Sequence, residues 1–469
     1  MIAQYQDAMT IVSKYGKPDI FLTFTCNPSW DEIQRNLSPN QSASDRPDLI
    51  ARVFNLKVKA LCHELFKKKA LGEVSAYIYV IEFQKRGLPH MHMLITLKGG
   101  WKMHTAANVD SLISAELPCS TDDNELFEIV SKNMIHRPCG LLNPSSPCMK
   151  NGSCSKRFPK PFRAETSLSV DGYPEYRRRN DGRSVTCRGT SMDNRFVVPY
   201  SPYLTRMFRA HINVEVCALL HVVKYVYKYV YKGSDRARVR LSQTSDDATT
   251  HDEIISYIDA RYVCAPEAIH RIFGFKMHAR SVSVVRLQIH LPGFETVCFV
   301  EGAEQQALDN ASARVSTLTA YFAKNQACLD LFRLHGSLPA GLVDSRNYHY
   351  FEIPEHFVYQ NGWTERERGA RTIGRMYFVG PADSERFALR LLLLYGKGFT
   401  SFSDVLTVDD IEHPSFVAAA RAAGYLSDDS YFEQSMREAA AFHLPAQLRS
   451  YYVSLLIFGE VQPPVPLRL

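Results

Sequence analysis

The chain has 469 residues, of which 45% are hydrophobic and 22% are charged, and these fractions are typical of a globular protein with a large core. No stretch approaches the ~18 apolar residues of a membrane span, and the first residues lack the basic and apolar regions of a signal peptide, so we expect an intracellular protein without a membrane partner. Its 11 cysteines would then be mostly reduced, which favours a metal site over disulfides wherever they cluster. The formal net charge of +6 permits a polyanionic partner without requiring one.

The first 66 residues predict two helices with a strand between them. Residues 2–15 form a helical pattern that ends before a Gly-Lys-Pro stop, and residues 19–26 are rich in strand-forming side chains. Residues 46–66 carry apolar side chains at helical spacing, with Asp48 as a cap near the start.

Residues 76–97 contain two apolar runs that flank a short turn, which predicts an antiparallel hairpin. Period-two alternation places His90 and His92 on one face of the second strand, and Glu82 and Gln84 on one face of the first. If the two faces coincide, two imidazoles and a carboxylate or amide oxygen converge, and this donor set suits a divalent metal. The alternative is a pair of ordinary strand histidines, which face solvent or pack with hydrogen-bonded partners.

Residues 119–163 are rich in Gly and Pro and show little apolar periodicity. His136, Cys139, Cys148 and Cys154 are separated by two, eight and five residues, which resembles a zinc knuckle, in which the ion replaces a core that so short a segment cannot build. Free cysteines in a loop are the alternative.

Several basic clusters lie in the same half of the chain, and each is either a solvated surface or part of a phosphate-contacting groove. They occupy Lys67–Lys69, Lys156–Lys160, Arg177–Arg179 and Arg236–Arg240.

Residues 211–217 alternate as a strand, with His211, Asn213 and Glu215 on one face, and lead into a tyrosine-rich stretch. If that stretch is a helix, Tyr225 and Tyr229 lie above one another with Lys228 beside them. Two neighbouring phenols are candidate nucleophiles. The alternative is that the tyrosines pack against the core, and taken alone the stretch favours it.

The remainder of the chain is less informative. We expect helices at 253–262, 265–273, 311–335 and 384–395, and a strand at 282–291.

Three of these motifs resemble the N-terminal part of Helitron transposases, whose nuclease belongs to the HUH superfamily of replication initiators and relaxases. Phe21–Pro28 is similar to the first motif of the family, Glu82–His92 to its metal-binding motif, and Tyr225–Tyr229 to its two-tyrosine motif. Residues 136–159, 194–215 and 378–408 resemble the segment that precedes the helicase of the family, and that helicase is missing from this sequence.

The resemblance implies an α+β fold in which a central antiparallel sheet carries the two histidines between flanking helices. It implies a nuclease domain at 1–245, interrupted by a basic, zinc-knuckle-like insertion at 119–190. An accessory region at 246–345 and a connector at 346–469 would follow, forming a mostly helical C-terminal part.

The resemblance also implies a reaction. Mg²⁺ or Mn²⁺ would be held by His90, His92 and Glu82, with Gln84 as the alternative third ligand. Tyr225 and Tyr229, assisted by Lys228, would cut single-stranded DNA at a transposon end and form a 5′-phosphotyrosine. The protein would then be a nuclear nickase and strand transferase of rolling-circle transposition, with a helicase possible in trans.

Two other functions stay open at this point. A domesticated or decayed copy would bind DNA through its basic clusters and zinc knuckle without cutting it. A zinc hydrolase using His90 and His92 would leave the paired tyrosines unexplained.

Overall fold

The computed structural model describes residues 2–83, 87–103, 105–168, 174–217, 236–240, 257–261, 263–294, 315–367, 369, 371–426, 436, 448–449 and 451–453. The chain forms two compact units, Tyr15–Arg280 and Met1–Lys14 together with Ser281–Leu469. The functional boundaries predicted at residues 245 and 345 stay predictions.

The α-helices of the described residues are α1 (Ile2–Tyr15), α2 (Asp31–Gln34), α3 (Pro47–Phe66), α4 (Ala106–Leu112), α5 (Asn124–Asn133), α6 (Pro202–Phe208), α7 (Ala265–Ile272), α8 (Thr317–His335), α9 (Ile353–His356), α10 (Ser384–Tyr395), α11 (Phe402–Leu406) and α12 (Phe416–Ala422). Among these helices, none is both long and apolar enough to cross a membrane.

The strands of the first unit are β1 (Ile20–Thr25), β2 (Val74–Phe83), β3 (Pro89–Leu97), β4 (Met149–Lys150), β5 (Ser153–Cys154), β6 (Ser167–Leu168), β7 (Pro174–Glu175), β8 (Ser184–Cys187), β9 (Thr190–Asp193), β10 (Ile212–Val216), β11 (Arg236–Arg240), β12 (Tyr257–Arg261) and β13 (His278–Arg280). Those of the second are β14 (Ser283–Leu287), β15 (Phe357–Tyr359), β16 (Trp363–Glu365), β17 (Thr372–Met376), β18 (Thr407–Val408) and β19 (Ile411–Glu412).

A five-stranded antiparallel sheet in the order β10-β1-β3-β2-β13 is the centre of the first unit, and it confirms the predicted α+β class. Because side chains alternate along a strand, one face of this sheet is apolar and fully buried. It packs against α3, α4 and α6 through residues such as Leu22, Phe24, Met93, Phe54 and Phe208. The opposite face carries the polar residues of β1, β3 and β10.

The hairpin of β2 and β3 is formed as predicted, with Glu82 directly opposite His90. Gly87, beside the turn, has φ +81°, a left-handed conformation that glycine adopts without steric cost. Since two antiparallel strands with a fixed register present paired residues on the same face, the hairpin positions its polar side chains together.

Helix α3 agrees with the helix predicted at 46–66. It buries Ile50, Phe54 and Leu61, whose helical spacing forms one apolar stripe. Asp48 is not the cap that we predicted, because the N-cap position is Arg46 and the Asp48 carboxylate instead pairs with the Arg46 guanidinium at 2.9 Å.

The predicted insertion contains short two-stranded hairpins and a small core built on α5. Arg178 anchors it: the buried guanidinium donates hydrogen bonds to the carbonyl oxygens of Asn194 at 2.6 Å and Val197 at 2.7 Å. Burial lowers the pKa of Arg178 to about 10, so it stays charged at neutral pH and satisfies carbonyl groups that would otherwise lack donors.

In the second unit, the helix predicted at 384–395 is α10, and the one predicted at 311–335 is α8, which begins at Thr317. The described residues of this region, which was predicted to be mostly helical, also form three two-stranded sheets. Helix α1 belongs to this unit, because the buried Asp7 carboxylate pairs with Arg286 at 3.0 Å and with Arg375 at 2.9 Å.

The helix predicted at 253–262 is wrong. Residues 257–261 form strand β12, which pairs antiparallel with β11. A five-residue segment of mixed polar and apolar residues, Tyr-Ile-Asp-Ala-Arg, fits either structure, and the hydrogen bonds that decide between them come from a separate segment of the chain.

Candidate metal centres

The polar face of the central sheet brings three predicted residues together. His90 on β3 lies opposite Glu82 on β2, and His92 lies two residues further along the same face. The imidazole centroids of His90 and His92 are 4.5 Å apart, and His92 Nε2 lies 3.6 Å from Glu82 Oε2. The hairpin register therefore gathers two nitrogen ligands and one oxygen ligand.

The chemistry of these groups fits a divalent cation. Among the described residues, the buried Oε1 atom of Glu82 has no hydrogen-bond partner, which is a costly state for a carboxylate unless a cation satisfies it. The Glu82 side chain is still 27% exposed, so the site is open to a ligand. His90, His92 and Glu82 could thus hold a metal that keeps free positions for substrate.

Electrostatics keep His90 in the form that binds metals. Burial, then the neighbouring imidazoles of His92 and His211, hold the pKa of His90 well below its ordinary value. A neutral imidazole retains the lone pair that a metal requires.

Thr25 on β1 orients this ring, and the sequence did not single it out. It lies opposite His90 in the register, and its Oγ1 is 2.6 Å from His90 Nδ1. When the ring proton is on Nδ1, the imidazole donates to Thr25 and leaves Nε2 free for a metal, an arrangement common around metal-bound histidines.

His211 is a second residue whose role sequence reasoning missed, although its position on one strand face was predicted. It precedes β10, and its carbonyl oxygen accepts a hydrogen bond from the Thr25 N–H at 3.0 Å. Burial lowers its pKa, and its Nδ1 has no hydrogen-bond partner among the described residues. Thr25, His90 and Glu82 form one row across β1, β3 and β2, and His211, just before β10, continues it.

The remaining predicted residues of this site, Gln84, Tyr225, Lys228 and Tyr229, lie outside the described residues. Their roles stay predictions.

A second group of ligands lies in the insertion. The candidate ligand atoms of His136, Cys139, Cys148 and Cys154 all lie within 4.8 Å of one another. His136 Nε2 is 3.5 Å from Cys139 Sγ and 3.6 Å from Cys154 Sγ. These four residues could hold a metal such as zinc, with the donor types that tetrahedral zinc sites use.

Two thiols of this cluster differ in acidity. Burial, with hydrogen bonds to Cys148 and Cys154, raises the pKa of the Cys139 thiol to about 12. Burial opposes ionisation of Cys154, but hydrogen bonds from the backbone N–H groups of Phe158 and Lys156 outweigh it and lower its pKa. Several thiolates become stable together only when a cation neutralises them, because like charges at this distance repel.

Comparison with known proteins supports the resemblance in part of the chain. Residues 1–95 match the family model described as the Helitron helicase-like domain at N-terminus. No curated protein matches the chain. The matched residues include β1, the whole of β2 and His90 and His92 of β3. The predicted resemblance to the Helitron helicase-like N-terminal region is therefore confirmed for residues 1–95, and it indicates a transposon-associated role.

Proposed function

We propose that this protein is a metal-dependent nickase and strand transferase that acts on single-stranded DNA of a rolling-circle, Helitron-type transposon. The observation that carries the proposal is the convergence of His90, His92 and Glu82 on the open face of the sheet, within the Helitron-like residues. We also propose that the sheet is that of an HUH nuclease.

The chain provides a rigid platform for this chemistry. His90, His92 and Glu82, or Gln84 in place of Glu82, would hold Mg²⁺ or Mn²⁺, which when bound polarises the scissile phosphate. Thr25 fixes the orientation of His90 through its hydrogen bond of 2.6 Å. The apolar core beneath β1 and β3 holds the strands that carry these side chains. These side chains would therefore already converge before substrate binds.

The proposed reaction is a transesterification at phosphorus. The phenolic oxygen of Tyr225 or Tyr229 loses its proton to solvent and attacks the scissile phosphorus in line. A bond from tyrosine oxygen to phosphorus forms, the bond from phosphorus to O3′ breaks, and the leaving O3′ takes up a proton. One phosphodiester is exchanged for another, so the reverse reaction joins strands.

Lys228 has the charge needed to assist this step. A free tyrosine has a pKa of about 10, so the phenolate is scarce at neutral pH. A neighbouring ammonium group favours the phenolate electrostatically. Two tyrosines allow a second cleavage while the first DNA end is still attached.

The test is a search for a covalent adduct. A pool of random-sequence single strands with a fluorescent label at the 3′ end is incubated with the protein and Mn²⁺, then denatured and separated by electrophoresis. We expect labelled DNA to migrate with the protein, because a 5′-phosphotyrosine retains the 3′ fragment. The same pool labelled at the 5′ end should yield only free fragments.

Matched tyrosine variants identify the nucleophile. Tyr225→Phe with Tyr229→Phe should abolish the adduct, whereas Tyr227→Phe with Tyr231→Phe should preserve it. An adduct that survives in the first double variant would move the nucleophile to Tyr227 or Tyr231.

A second candidate, a DNA-binding module that does not cut, is favoured by one observation: four exposed basic side chains around the Cys/His cluster, Arg137, Lys150, Lys156 and Arg157, form no ion pair among the described residues. Binding without an adduct from any substrate would support this module. Cleavage without an adduct would instead indicate a hydrolase.

A further inference from the structure

We propose that residues 136–163, here called the knuckle surface, form a binding surface for single-stranded DNA that is separate from the cleavage site. Its basic side chains would contact phosphates, and Leu141 and Leu142 would contact unstacked bases. The choice of DNA as partner rests on the proposed function, whereas the position and character of the surface rest on the following observations.

The knuckle surface accounts for the net charge of the whole chain. It contains Arg137, Lys150, Lys156, Arg157, Lys160 and Arg163, and no Asp or Glu. The chain has 55 basic and 49 acidic residues, a net charge of +6. Outside the knuckle surface, acidic and basic residues are therefore equal in number. A positive charge so concentrated attracts a polyanion and raises its local concentration.

Carboxylates neutralise several cations in and beside the rest of the insertion. Arg179 pairs with Glu116 at 2.6 Å, Arg183 with Asp181 at 2.6 Å, and Arg195 with Asp193 at 2.8 Å.

The knuckle surface differs from this pattern. Its Arg163 pairs with Glu175. The exposed side chains of Arg137, Lys150, Lys156 and Arg157 form no ion pair with any carboxylate in the described part of the chain. Charges that the fold leaves exposed and unneutralised are available to a phosphate backbone.

The knuckle surface also presents apolar side chains to solvent. Leu141 is fully exposed, at 102%, and Leu142 is 56% exposed. Both lie between the ligands Cys139 and Cys148, within the turn from Gly140 to Asn143. Adjacent exposed leucines among cations suit a partner with both phosphates and accessible apolar base faces. A single strand has such base faces, whereas a duplex buries them in its stack.

The knuckle surface lies near the edge strand β10. Lys160 Nζ is 5.3 Å from the centroid of the Phe158 ring, which stacks on His136 at 4.2 Å. Arg163 exchanges backbone hydrogen bonds of 2.9 Å with Arg178, and the nearby Tyr176 hydroxyl accepts a hydrogen bond from the Val216 N–H of β10 at 2.8 Å. Single-stranded DNA bound to the knuckle surface would therefore be close to the sheet that carries His90 and His92.

The charge contribution can be measured by fluorescence anisotropy with a labelled random-sequence single strand. The full chain is used with its zinc and without added Mg²⁺ or Mn²⁺, so that no cleavage competes. Lys156→Gln with Arg157→Gln should lower the slope of log affinity against log salt by about 0.7 per lost contact, or about 1.4 for the pair. The matched control is Lys59→Gln with Lys397→Gln, which removes two exposed cations, one on α3 and one just after α10.

The control pair should leave that slope unchanged. If both pairs lower the slope equally, the charge effect is general and the knuckle surface is not a specific contact.

The leucine contribution is tested with Leu141→Ala together with Leu142→Ala. Affinity for the single strand should fall about tenfold, which is the effect expected from losing the burial of a leucine side chain. Affinity for a duplex of the same sequence should not change. An equal loss for both forms would overturn the base contact, and unchanged zinc content in all variants shows that the fold is retained.

The experiments can reject the cleavage reaction and the knuckle surface independently of each other. An adduct from the wild-type protein combined with normal binding by the knuckle variants rejects only the knuckle surface. The expected loss of binding combined with no adduct rejects only the cleavage reaction.

Discussion

The two candidate metal centres of the first unit are built in opposite ways. His90, His92 and Glu82 project from two long strands whose register is fixed by backbone hydrogen bonds and by the apolar core beneath them. Three of the Cys/His ligands lie in loops and Cys154 lies in β5, which pairs with β4 in a hairpin of two residues per strand. The first site is organised by the fold, and we expect the second to depend on a bound ion.

This difference implies different consequences of metal loss. A site held by a packed sheet loses its ion without losing its structure. In a segment with little core, the free energy of metal binding becomes free energy of folding. The predictions below test this contrast, beginning with the largest effect.

Removing one cysteine ligand of the Cys/His cluster should unfold residues 136–163. Structural zinc in small motifs binds with about 10–16 kcal/mol at neutral pH, so Cys139→Ser should lose most of that stabilisation. We expect loss of bound zinc and of amide hydrogen-exchange protection in residues 136–163, with β1 and β3 still protected. Cys187→Ser, which changes a thiol outside the ligand group, is the control. Retained protection in Cys139→Ser would show that the segment folds without metal.

Weakening the apolar core under the sheet should destabilise the sheet and not residues 136–163. Phe54 on α3 is fully buried, and its ring centroid is 5.4 Å from that of Phe24 on β1. Phe54→Ala should reduce the free energy of unfolding by about 3–5 kcal/mol, because it leaves a cavity. Denaturant unfolding measures this loss, and Leu56→Ala, on the exposed side of the same helix, should cost little. Equal costs for the two variants would contradict the assigned role of the core.

Removing a sheet ligand should abolish metal binding and leave the fold intact. His90→Ala is expected to lower Mn²⁺ affinity by more than about a hundredfold, since loss of an outer-sphere partner alone costs about 10–100-fold. Electron paramagnetic resonance of free Mn²⁺ measures the affinity, and adduct formation should be lost in parallel. Unchanged affinity would exclude His90 as a ligand. An unfolded variant would contradict the view that the fold alone organises this site.

The sequence correctly predicted those features of the structure that depend on local sequence patterns. Alternation and a turn predicted the hairpin of β2 and β3, and with it the meeting of Glu82 and His90. Ligand spacing predicted the group of His136, Cys139, Cys148 and Cys154. Both features depend on residues close together in the chain.

Features that depend on distant pairing were missed. Thr25 and His211 reach the site because β1 pairs with β3 on one side and with β10 on the other. The strand at 257–261 was predicted to be a helix for the same reason, since its partner is the separate segment 236–240. No local pattern specifies which distant strands become neighbours.

The smallest expected effect concerns the orientation of the His90 imidazole ring. Thr25→Val removes the hydroxyl beside His90 Nδ1 and keeps the shape of the side chain. Without that partner the imidazole is not fixed in the Nδ1–H tautomer, so Mn²⁺ affinity should fall about 10–100-fold. Thr25→Ser should restore it. Thr96→Val, which removes another buried hydroxyl further along β3, should not change it.

The tautomer itself provides a readout that a purely structural role would not change. The ¹⁵N chemical shifts of the His90 ring, measured without metal, should indicate Nδ1–H in the wild type and in Thr25→Ser, and a mixture of tautomers in Thr25→Val. If Thr25→Val weakens metal binding with these shifts unchanged, Thr25 acts through packing. If the shifts change and affinity does not, orientation of His90 is unimportant. In that case strand register alone organises the sheet site.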